Sequence, residues 1–211
     1  ANPLSTELGV MRTALLPGLV ASLGRNLARQ QSRVRLFEIG KVFARAGTDN
    51  AAPVETLRVA AAVSGDVRAE QWGESSRPVD YFDLKGDLEA LAALAGARLA
   101  FQRSDAPHGH PGRSADVYRD GVRVGWVGEL HPRLRRALDL DAPVVAFELD
   151  AMALQERPLP RVAALSKFPS VRRDLAIVAP EAVAWAAIES TVRAAAGPLL
   201  ADVVLFDRYA G

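Results

Sequence analysis

The chain of 211 residues contains no cysteine. Disulfide frameworks, thiolate metal sites and cysteine nucleophiles are therefore excluded, and a reducing interior, the cytoplasm, is the expected location. Histidine is scarce, so any histidine-built metal centre would have to draw on His108, His110 and His131 alone. Lysine occurs only at positions 41, 85 and 167, leaving arginine to supply almost all the positive charge. An excess of either sign is also missing: 26 basic residues against 25 acidic ones give a net charge of +1, so any RNA contact must be local. No apolar run approaches the roughly 20 residues of a membrane-spanning helix, and Ala1-Asn2-Pro3-Leu4-Ser5 lacks the charged-then-apolar order of an export signal. Neither G-x-G-x-x-G nor a P-loop occurs, so no glycine cradle for phosphate is visible. What is present, 49% hydrophobic and 24% charged residues, is the composition of a folded chain with room for one full domain and part of another.

Leu19, Leu23 and Leu27 recur every four residues behind Pro17, which predicts a helix over 17–30 with one apolar stripe. Arg33 to Phe43 alternates apolar and polar positions and is expected to be a long, central strand. Leu57 to Val63 reads as a buried strand. Leu84, Leu88, Leu91 and Leu94 give helical spacing over 80–94, with Gly96 as the stop. Asp120-Gly121 supplies the positive φ angles of a tight turn between strands 114–119 and 122–130. A short helix from His131-Pro132 to Leu138, a strand over 144–149 and a helical turn over 151–154 follow. This order predicts an α+β fold on an antiparallel sheet flanked by helices. Gln155-Glu156-Arg157-Pro158-Leu159-Pro160-Arg161 has the composition of a linker, placed at 155–165 between a domain over 1–154 and a second part over 166–211. That second part reads as strand 173–178, helix 184–196 and strand 202–207, an incomplete β-α-β unit too small to bury both faces of a sheet.

Chemistry-bearing clusters are sparse. The three histidines lack helix-paired spacing and are read as structural or solvated rather than as metal ligands. Asp83 with Asp87, and Glu129 beside His131, fit caps and ion pairs better than acid–base catalysis. Ser5 and Thr6 read as loop or cap residues. Lys167, Arg172 and Arg173, with Phe168 between them, suit either an RNA backbone or a solvated edge strand, and the residues alone do not choose. The stretch 11–45 carries Arg12, Arg25, Arg29, Arg33, Arg35, Lys41 and Arg45 against Glu38 only, which suits RNA, an acidic partner or a wet helix face.

Seven strings then occur in order: Asn2-Pro3-Leu4-Ser5; Met11-Arg12-Thr13 with Leu15-Leu16-Pro17-Gly18-Leu19; Arg33 to Phe43; Phe82-Asp83-Leu84-Lys85-Gly86-Asp87; His110-Pro111-Gly112-Arg113-Ser114-Ala115; Gly128-Glu129-Leu130-His131-Pro132; and Lys167 to Leu175. Together they resemble the beta subunit of bacterial phenylalanyl-tRNA synthetase, along essentially the whole chain. The resemblance implies that 1–154 is a catalytic-like module of the class II synthetase fold. It implies that 166–211 opens a ferredoxin-like anticodon-binding domain.

In such enzymes an arginine in a glycine-rich strand–helix motif neutralises ATP phosphates. The comparable stretch here, Phe147 to Leu154, has Glu148 and Asp150 in place of glycines, and no arginine lies between Arg136 and Arg157. The expectation is a noncatalytic structural part, with no catalytic residue and no cofactor or metal of its own. ATP and Mg2+ are then needed only by the whole enzyme. The resemblance further implies an alpha subunit, tRNA(Phe) and a second beta subunit, in an alpha2-beta2 heterotetramer, as partners. Leu19, Leu23 and Leu27 are the interface candidates, with core packing as the equal alternative, and Lys167, Arg172 and Arg173 are the RNA candidates. The competing reading is a free-standing synthetase-like binding module, which needs phosphate-binding arginines; Arg113, Arg119 and Arg123 are the ones available.

Overall fold

The computed structural model describes residues 9–45, 47, 52–155, 159, 167 and 169–209. The chain divides into two compact units, Ala1–Arg161 and Val162–Gly211. Ser5, Thr6, Phe168 and most of the stretch 155–165 lie outside the described residues.

In the first unit the order is α1 (Leu16–Leu27), β1 (Val34–Ala44), β2 (Val54–Ser64), α2 (Tyr81–Leu94), β3 (Ala100–Arg103), β4 (Gly109–Arg119), β5 (Val122–Leu130), α3 (Pro132–Ala137) and β6 (Val144–Asp150), then a 3-10 turn over Ala151–Leu154. The strands form one sheet in the order β1-β2-β6-β5-β4-β3, every neighbouring pair antiparallel. This is the α+β architecture expected, an antiparallel sheet flanked by helices. No helix among the described residues is long and apolar enough to cross a membrane.

Alternation along β6 builds two cores. Val144 and Ala146 face α1, packing with Leu19, Leu23, Val34, Ala60 and Trp126. Val145, Phe147 and Leu149 face the other way, packing with Leu84 and Leu88 of α2, Val117 and Val127. Sequence alternation did not place β1 correctly. It is an edge strand, not a central one, with Phe37 76% and Ile39 61% exposed. The signal for the centre is an unbroken apolar run, such as Ala60-Ala61-Ala62-Val63 in β2 and Val144 to Phe147 in β6, because only a strand covered on both faces has that composition. Strand length carries no such information.

Asp80 and Asp83 start α2 as a capping box: the Asp80 carboxylate accepts from the backbone N–H groups of Phe82 and Asp83, while Asp83 accepts from Asp80 N. Of the predicted stripe, Leu84 and Leu88 are buried, but Leu94 is 74% exposed and Ala92 takes the core position. Asp120 (φ 50°) and Gly121 (φ 79°) both adopt the left-handed region in the β4–β5 turn, as expected for Asp-Gly. The short strand β3 carries no sequence signal: it is four residues at the far edge, below the length at which alternation is readable.

The second unit holds α4 (Trp185–Ala196), close to the predicted 184–196, and a 3-10 turn over Gly197–Leu199. The two strands expected at 173–178 and 202–207 are corrected: both segments are irregular, and among the described residues neither forms a backbone–backbone hydrogen bond. A strand exists through its ladder, and among the described residues neither segment has a partner strand. Leu175, Ile177 and Val178 are 69%, 55% and 102% exposed.

Candidate functional site

Three surfaces of the first unit bear on function: the two sheet faces and the free edge of β1. α1 covers the face formed by β1, β2 and β6, while α2 lies on β5 and β6 on the opposite face. The residue that fixes α1 comes from the sheet: one carboxylate oxygen of Glu148, on central strand β6, accepts from the N–H groups of Leu15 (2.9 Å) and Leu16 (3.1 Å). These are among the unpaired donors at a helix start, where a negative charge is favoured. In the sequence Glu148 stands out only as an acid in place of a glycine. Its role as a long-range cap, more than 130 residues away in the chain, left no local signal.

The arginines proposed for phosphate are committed to protein acceptors. Arg113 pairs with Glu129 (2.9 Å) and Arg123 with Asp116 (2.8 Å), each carboxylate holding its guanidinium in the charged form. Arg119 sits beside Asp120 (3.5 Å) and donates to the Ala153 carbonyl. Hydrogen bonds from Arg123 and Ser104 keep the Asp116 pKa below the ordinary carboxylate value. Glu129 is 6% exposed and lies between Arg113 and Arg135 (3.6 Å). Glu148 on one sheet face is thus bound to α1, and these arginines are bound to carboxylates or a carbonyl.

The histidines have local roles. The His108 ring packs edge-on against Trp126, with 4.5 Å between centroids. His110 Nδ1 accepts from Gly112 N (3.1 Å), and His131 Nδ1 accepts from Arg133 N (3.1 Å) at the start of α3. Among the described residues no group of three or more His, Cys, Asp or Glu could hold a metal ion. Asp83 is bound through both oxygens by Arg77 (2.6 and 2.8 Å), and Asp87 lies 3.8 Å from Arg35.

Leu19 is 6% exposed and Leu23 is fully buried, with Leu27 packed partly against the same core. The stripe is thus used inside the unit, and a partner cannot reach Leu19 or Leu23 while the core is intact. α1 instead turns Pro17, Gly18, Ala21 and Arg25 outward. The edge of β1 is half closed. Phe43 N donates to Arg12 O (2.9 Å), Arg12 Nε donates to Lys41 O (2.8 Å), and its guanidinium pairs with Glu38 (2.5 Å). Gly40 makes this possible, since a Cβ there would collide with the Arg12 guanidinium. By strand alternation Arg35, Phe37 and Ile39 turn their backbone groups to the same outer edge, where among the described residues no strand lies beside them. In the second unit Lys167, Arg172 and Arg173 are exposed, Arg172 3.6 Å from Asp174.

Comparisons with known proteins bring the two units together. Residues 1–151 match the phenylalanyl tRNA synthetase beta chain CLM domain, and residues 166–211 match the ferredoxin-fold anticodon binding domain. The pair defines a class, a synthetase-related domain followed by an anticodon-binding one. The chain belongs to the phenylalanyl-tRNA synthetase beta chain family. It is similar to the phenylalanine–tRNA ligase beta subunits of Xanthomonas axonopodis pv. citri (strain 306), 64% identical over 211 residues, and of Xylella fastidiosa (strain Temecula1), 60% identical over 210 residues. Each match covers 100% of this chain but only 27% and 26% of those proteins. Among solved structures a pyrrolysyl tRNA synthetase of Desulfitobacterium hafniense is similar over 68% of this chain and 48% of its own, at 19% identity and a TM-score of 0.48.

Proposed function

We propose that this chain is a noncatalytic scaffold of a phenylalanine–tRNA ligase beta subunit, which joins an alpha subunit and leads into recognition of tRNA(Phe). The observation that carries this reading is the occupation of the sheet: α1 covers one face over β1, β2 and β6, α2 covers the other over β5 and β6, Glu148 serves as the cap of α1, and Arg113 and Arg123 are neutralised by carboxylates. ATP and Mg2+ chemistry then belongs to the alpha subunit. The surface suited to assembly is the outward side of α1, where Gly18 and Ala21 allow close helix approach, together with the open edge of β1 at Arg35, Phe37 and Ile39. In this assignment Leu19, Leu23 and Leu27 support the interface from behind by holding α1 in place. A second beta subunit completes an alpha2-beta2 assembly, and Lys167, Arg172 and Arg173 contact RNA from the second unit. In this reading the first unit is a class II synthetase-like module and the second a ferredoxin-like unit.

Light scattering on a sizing column, with the full-length beta subunit mixed with its alpha subunit, tests the assembly. A stable mixed complex in which Ile39→Lys weakens association supports the reading. Adenylate formation by this chain alone from ATP and phenylalanine would overturn it.

A further inference from the structure

We draw no further inference here: the strongest candidate, the open cleft beside the start of α2 lined by Tyr81, Phe82, Phe101, Arg103, Arg113 and Glu129, carries nothing, because Arg113 and Glu129 are paired with each other and nothing in the structure shows what covers its exposed Phe82.

Discussion

The segments Val144–Asp150 and Arg173–Val178 are similar as sequence, short apolar runs bounded by turn residues, and different as structure. The first lies between β2 and β5, paired on both edges and covered on both faces; the second has no ladder among the described residues and turns Leu175, Ile177 and Val178 to solvent. β structure is a property of partners, and a local pattern becomes a strand only where another strand meets it. A helix makes its own hydrogen bonds, and α4 accordingly forms in the second unit without any buried residue. The largest expected effect tests this contrast directly. Leu23→Ala in the first unit removes a fully buried side chain from the α1 core and is expected to cost about 2–5 kcal/mol, whereas Ile177→Ala changes stability by no more than ~0.5 kcal/mol. Urea denaturation of this chain measures both. Equal losses at the two positions would show that Ile177 is packed and that the contrast is false.

Glu148→Ala comes next. It leaves the N–H groups of Leu15 and Leu16 without their acceptor, and the expected loss is about 1–2 kcal/mol, in the range of other helix caps. Hydrogen exchange at the start of α1 should speed up more than exchange in α2, whose cap is local and intact. If both helices respond alike, Glu148 supports the sheet rather than the helix. The position also shows what the sequence could and could not say. The helix over 17–30 was readable from leucine spacing, and the hairpin from Asp120-Gly121, because both signals lie within a few residues. The cap from Glu148, the edge placement of β1 and the exposure of Leu94 depend on which element arrives from elsewhere in the chain. Of the candidate site, the family strings told which module this is. The pairs of Arg113 with Glu129 and Arg123 with Asp116 depend on β4 and β5 lying side by side, and that of Arg119 with the Ala153 carbonyl on the turn after β6, which no local spacing announces.

The smallest effect expected is a pH dependence that separates two parts of the same sheet face. Burial against Trp126 pushes the His108 pKa below its ordinary 6.5, and the nearby Arg123 charge acts in the same direction, while Glu148 and Asp116 oppose it. The unfolded chain therefore binds the proton first as pH falls, and stability declines through and below pH 6.5 until the folded histidine also titrates. Asp116 and Asp83 act lower down. Their arginine partners hold both below the ordinary 3.8, so the stability they supply is complete above that value and lost as pH falls past it toward the folded pKa. His108→Phe keeps an aromatic ring against Trp126 and removes the titration. Stability measured against pH should then be flatter between about pH 7 and 5 than in the unsubstituted chain, with the decline below pH 4 retained. If the variant keeps the same slope between pH 7 and 5, the proton taken up there belongs to another group. The part of the sheet under His108 would then be no more sensitive to acid than the part under α1.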